Sequence, residues 1–141
     1  MDDETKRAII LENFSNPINK HDGDDSYLKA NTNNESCIDN LDIYVKVEDG
    51  KIADICFNGE ACAISTSSTS IMIKNLIGKT ISEAKEYINN FENMVNEEEY
   101  DEELLNEAVV YEDIHYQKNR VKCALLPYMG VKKILDGLDD K

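Results

Sequence analysis

Four residues in this chain could converge on one metal ion: Cys37 and Asp39 in "CID", Cys62 in "NGEACAIST", and Cys123 in "RVKCALLPY". In extended backbone, residues two apart project to the same side, so the Cys37 thiol and the Asp39 carboxylate can reach a shared ion. Cys62 follows a glycine turn and just precedes a helix-forming stretch, where free backbone N–H groups and the helix dipole favour a thiolate and lower its pKa. Cys123 falls about 130° around its helix from the stripe of Val121, Leu125, Tyr128 and Leu135. A cysteine used only for packing would lie more naturally within that stripe. Three thiols and one carboxylate match the four-coordinate demand of Zn²⁺, and thiolate sulfur equally suits an iron–sulfur cluster. The donors come from three separate segments and include no Cys-x-x-Cys pair. Spacing therefore separates neither the two metals nor a ligand set from ordinary buried cysteines.

The elements that would position these residues can be read from periodicity. Asp2, Asp3 and Glu4 suit a helix N-terminus, Ile10 and Phe14 share a face, and Asn16-Pro17 stops the helix. Residues 17–34 are polar, with an edge strand expected around Tyr27 to Asn31. Leu41, Ile43, Val45 and Val47 alternate with polar residues, which predicts a strand with one buried face. Its hairpin partner has two registers. A two-residue Asp49-Gly50 loop pairs Val47 with Ile52, whereas a three-residue loop puts Ala53, Ile55 and Phe57 on the apolar face. Burial favours the second, with Cys56 on the polar side and Cys37 and Asp39 on the face of Leu41.

A helix is expected from about Ser65 to Ile77, ended by Gly78. Thr80 and Glu83 form a capping box ahead of the stripe Ile81, Ala84, Ile88, Phe91 and Val95. The acidic segment that follows predicts a short, partly exposed helix. Arg120 to about Leu138 reads as the last helix, with Pro127 and Cys123 placed near its start, since a proline in the interior would clash with the carbonyl four residues back. Strands first and helices after predict an α+β domain: a small antiparallel sheet of about three strands packed against several helices. At 141 residues the chain is expected to form a single domain spanning 1–141.

Lys and Arg number 15 against 29 Asp and Glu, a formal charge of −14, so the protein's own field opposes nucleic acid and anionic membrane as partners. No apolar stretch approaches a membrane span and "MDDETKR" is no secretory signal, so the expected location is the cytoplasm, where thiols stay reduced. His21 and His115 read as solvated or locally hydrogen-bonded histidines. Asp22, Asp24 and Asp25 lack the calcium-loop pattern. The run Glu97 to Glu103 reads as a solvated face, and Met72, Met94 and Met129 as core filling.

The order "NPINK", "CID", "VEDGKIADICFNGEACAIST", "IGKTISEAKEYINNF" and "RVKCALLPY" resembles the SufU-type proteins of iron–sulfur cluster assembly, relatives of the IscU and NifU scaffolds. The IscU type carries a histidine just before its third cysteine, whereas Lys122 stands here and Arg120 lies three before Cys123. The interval of 61 residues from Cys62 to Cys123 resembles the longer SufU spacing, with the acidic stretch around 97–116 as a helical insertion. Ala61 occupies the place of a family glycine, so positive φ is not expected there.

The resemblance implies that Cys37, Asp39, Cys62 and Cys123 bind zinc. It also implies that Cys37 accepts persulfide sulfur from a pyridoxal-phosphate cysteine desulfurase of SufS type, with Arg120 stabilising a departing thiolate. The activity implied is a zinc-dependent sulfur transfer feeding downstream iron–sulfur assembly proteins. Two alternatives remain open: a scaffold that assembles and hands on a transient [2Fe–2S] cluster, and a structural zinc domain acting as an interaction module.

Overall fold

The structure is a computed structural model and describes residues 1–35 and 37–139. In chain order it comprises α1 (Asp3–Ser15), β1 (Leu28–Asn33), β2 (Asn40–Glu48), β3 (Lys51–Glu60), α2 (Ala63–Leu76), α3 (Ile81–Val95) and α4 (Glu102–Leu105). Two 3-10 turns (Asn106–Tyr111 and Ile114–Tyr116) and α5 (Lys118–Asp139) complete it. The strands form one antiparallel sheet in the order β1-β2-β3, so the fold is α+β, as the pattern predicts. No helix among the described residues is long and apolar enough to cross a membrane.

The hairpin departs from expectation in an instructive way. Its loop has two residues, not three: Glu48 faces Lys51 and Val47 faces Ile52, with Asp49 and Gly50 at φ 54° and 74°. Positive φ at both central residues is what this tight turn demands. Continued unchanged, that register would turn Ile55 and Phe57 away from the core. A bulge between Lys46 and Val47 corrects it: Ala53 is left over, Val45 meets Ile55, and Ile43 meets Phe57. Ile43, Val45, Ile52, Ile55 and Phe57 are all fully buried, whereas Ala53, expected on the same face, is exposed.

Cys56 lies opposite Tyr44 and was expected on a polar face, yet it is fully buried. The 17–27 loop folds over that face. Gly23 packs so closely that a Cβ there would lie 2.8 Å from the Tyr44 ring, and the Tyr27 hydroxyl donates to Asp54. Burial, followed by the charge of Asp54, pushes the Cys56 thiol up to about 11.

α2 is the central helix. It is buried all round rather than on one side, although six of its residues in a row, Ser65 to Ser70, carry hydroxyls. Each hydroxyl has a partner. Thr66 donates to the Ala61 carbonyl, Ser68 to the Ala124 carbonyl, Thr69 to the Ser65 carbonyl and Ser70 to Asn13 Oδ1, while Ser67 pairs with the Tyr111 hydroxyl. Buried polar groups satisfied in this way escape the desolvation penalty that makes such a run rare in a core. α1 docks against this surface by polar contacts too. Its buried residues are Lys6 and Asn13, and Ile9 and Ile10 pack against the core beside them, whereas Phe14, expected on the same face as Ile10, is 42% exposed. Lys6 reaches Glu112 at 2.6 Å and Asp113 at 2.7 Å, which ties α1 to the acidic segment.

α3 starts with the predicted capping box, and Ala84, Ile88, Phe91 and Val95 of its stripe are buried. In the acidic segment, Glu97, Glu98, Glu99, Glu102 and Glu103 are exposed, while Leu105, Ala108, Val110 and Tyr111 close the core. Thus the segment is more than a partly exposed helix. α5 begins at Lys118, so Pro127 stands inside it and Cys123 in the second turn, not the first. The proline is tolerated because the carbonyl it cannot serve, that of Cys123, accepts a hydrogen bond from Ser65 Oγ at 2.9 Å instead.

Candidate metal centre

Three segments deliver the donors to one place. Cys37 lies on a turn just before β2, where its N–H donates to the Asn34 carbonyl at 3.0 Å and the Asn34 N–H donates to the Asp39 carbonyl at 3.0 Å. The turn, rather than the extended backbone expected from the sequence, aims the Cys37 thiol and the Asp39 carboxylate together. Cys62 is the N-cap of α2, its sulfur accepting the Ser65 N–H at 3.5 Å. Cys123 comes from α5 and is 2% exposed. Its burial beside Ala124 corrects the expectation that it sits well away from the packed face. The donor atoms of Cys37, Asp39, Cys62 and Cys123 all lie within 4.8 Å of one another.

Asp39 is the most constrained of the four. It is 2% exposed; Oδ1 accepts the Cys62 N–H at 2.7 Å and Oδ2 accepts Ser65 Oγ at 2.7 Å. Burial opposes its ionised form, but the hydrogen bonds from the Cys62 N–H, Ser65 and the Cys123 and Cys62 thiols outweigh it and hold the carboxyl below its usual range. Cys123 goes the other way: burial first, then Asp39 and Cys62, raise its thiol to about 12. A buried carboxylate crowded by sulfur is a site whose negative charge calls for a cation. Three thiols with one oxygen suit Zn²⁺ or an iron–sulfur cluster, so the residues present fit either group.

The three thiols differ in access. Cys37 is exposed, Cys62 half-buried and Cys123 buried. Arg120, in the first turn of α5, is half-buried; among the described residues its guanidinium is paired with no carboxylate and bonded to none of the four donors. Two supporting residues escaped the sequence reading. Ser65 is one, signalled only by its place three residues after the cap. Asn34 is the other, its Nδ2 lying 3.8 Å from Cys123 Sγ. Of the other histidines and acids, His21 is exposed with Nδ1 against the Asp22 carbonyl, and His115 pairs with Glu97 at 3.6 Å.

Residues 5–124 match the model of the family described as NifU-like N-terminal domain. An iron–sulfur cluster assembly scaffold protein IscU of Thermotoga maritima is 36% identical over 112 residues, 79% of each chain. A zinc-dependent sulfurtransferase SufU of Bacillus subtilis is 30% identical over 128 residues, 90% of this chain and 86% of that one. Among solved structures, one from Fervidobacterium islandicum, described as a candidate iron–sulfur cluster assembly scaffold for a SUF system, superposes with a TM-score of 0.87. It is 34% identical and covers 90% of this chain and 93% of its own. By its matched span, and by relatives similar over most of their lengths, the chain belongs to the family of NifU-like N-terminal domains.

Proposed function

We propose that this protein serves iron–sulfur cluster assembly as a sulfur acceptor, with Zn²⁺ held by Cys37, Asp39, Cys62 and Cys123, and with Cys37 receiving sulfur from a SufS-type cysteine desulfurase. The observation that carries this reading is the unequal exposure of three thiols sharing one site: Cys37 is exposed where Cys123 is buried. A persulfide carried on another protein can approach the first and not the second. When bound, the ion would supply the positive charge that keeps these sulfurs as thiolates at neutral pH.

The remaining steps belong to the chain's own residues. The Cys37 thiolate attacks the outer sulfur of the desulfurase persulfide; a sulfur–sulfur bond forms at Cys37, the one in the desulfurase breaks, and its cysteine leaves as a thiolate. No net oxidation occurs and no further reactant is needed. Asp39 stays anchored through Cys62 N–H and Ser65 while Cys37, on its turn, rotates outward. Arg120, paired with no carboxylate among the described residues, is available to stabilise departing negative charge. Iron–sulfur assembly proteins downstream would then take the sulfur.

The test replaces Cys37 by Ser and follows desulfurase turnover with and without the chain. Stimulation should vanish, and wild type alone should gain the mass of one sulfur atom at residue 37. Undiminished stimulation by the variant would remove Cys37 from the role. A second reading, a scaffold for [2Fe–2S], is favoured by the same thiol-rich donor set and by the name of the Thermotoga maritima relative. Anaerobic reconstitution with iron and sulfide separates them, since a scaffold would develop sulfide-to-iron absorption and pass the cluster to an apoprotein.

A further inference from the structure

Ser65 is fully buried at the junction of all three donor segments, and its hydroxyl is over-subscribed. Oγ lies 2.7 Å from Asp39 Oδ2 and 2.9 Å from the Cys123 carbonyl oxygen, and it carries a single proton for these two acceptors. The competition exists because of Pro127. In a regular helix the Cys123 carbonyl would accept the N–H of residue 127, and proline has none. We infer that Ser65 is a positioning residue for the metal site, its proton shared between the Asp39 carboxylate and the carbonyl that Pro127 leaves free, so that the proline in α5 sets how firmly Asp39 is held as a ligand. The inference rests on the reading that these four residues hold a metal.

The physical basis is the usual one for supporting residues: a hydrogen bond to a ligating carboxylate fixes its orientation and basicity, and losing it weakens metal binding by about 10- to 100-fold. Sharing the proton makes the Ser65 hydrogen bond to Asp39 weaker than an undivided one would be, while the Cys62 N–H still anchors the carboxylate. Giving the carbonyl its own N–H would end the sharing and tighten Asp39.

The experiment measures Zn²⁺ release to a chromophoric chelator from full-length wild type, Ser65→Ala, Pro127→Ala and the double variant, with Co²⁺ absorption spectra of each. Ser65→Ala should release zinc about 10-fold faster or more and shift the cobalt bands. Pro127→Ala should release it more slowly. In the double variant the new N–H should satisfy the Cys123 carbonyl in place of Ser65, yet release should stay as fast as in Ser65→Ala, which a purely structural serine would not give. Release from Ser65→Ala at the wild-type rate would overturn the inference, as would a slowing by Pro127→Ala that persists without Ser65. Failure of the underlying reading looks different: wild type would hold no stoichiometric zinc, or would keep it in Cys62→Ser, and the inference would fall with it.

Discussion

Gly59→Ala offers the sharpest test of how the sheet builds the site. Gly59 sits in β3 opposite Leu41 at φ 126°, three residues before Cys62. A Cβ there would lie 2.2 Å from the Asn40 carbonyl oxygen, which is rigid backbone immediately after Asp39. Two penalties add. Holding a non-glycine residue at such a φ costs about 1–3 kcal/mol, and forcing atoms into a filled space costs about 1–3 kcal/mol more. The sum, roughly 2–6 kcal/mol, is a large share of the 5–15 kcal/mol that ordinarily separates folded from unfolded protein. Gly50→Ala is the control. Its φ is 74°, but nothing lies within 4 Å of an added Cβ, so only the conformational penalty of about 1–2 kcal/mol applies. Urea unfolding of the metal-free protein, with a slope of about 2 kcal/mol per molar, should place the Gly59→Ala midpoint about 1–3 M below wild type and clearly below Gly50→Ala. The site should suffer as well, because pushing β3 from β2 at this point separates the Cys62 N–H from Asp39 Oδ1, now 2.7 Å apart. Equal midpoints for the two alanine variants, or unchanged zinc affinity in Gly59→Ala, would show that close approach at Gly59 does not set the spacing of β2 and β3 beside the site.

Lys6→Met should destabilise by roughly 2 kcal/mol in denaturant unfolding, because it leaves Glu112 and Asp113 as neighbouring like charges; the effect stays below that of a fully buried pair since the Asp113 side chain is 53% exposed. Alkaline pH should also weaken the fold. The hydrogen bond to Asp54, then burial, raise Tyr27 from 10.0 to about 12, so the folded state keeps a proton that the unfolded state loses, and stability present below pH 10 declines as pH climbs through 12. Unfolding monitored between these pH values should show that Tyr27→Phe reduces the slope; an unchanged slope would exclude Tyr27 as a contributor.

Much of this protein was legible wherever a local rule operates. Alternation along Leu41 to Val47, the Thr80/Glu83 capping box and Gly78 as a helix stop each concern residues within a few positions of one another, and the structure contains all three. Residues depart from their local pattern where a distant segment supplies the deciding contact. Cys56 is buried by a loop some 30 residues upstream, and Pro127 survives inside α5 because a serine on another helix serves the carbonyl it abandons. The hairpin shows the two influences in competition: Asp49-Gly50 set a tight turn, the core demanded Ile55 and Phe57, and the Ala53 bulge satisfies both.

By itself, then, the chain's chemistry named its reactive side chains and the kind of ion they suit, because thiol and carboxylate are properties of residues. Tertiary structure alone decided that these groups lie within 4.8 Å of one another, that Cys37 is the exposed thiol among them, and that Ser65 stands between Asp39 and α5. Convergence and access depend on how a turn, a helix cap and a second helix pack against one sheet, and no spacing along the chain encodes that distance.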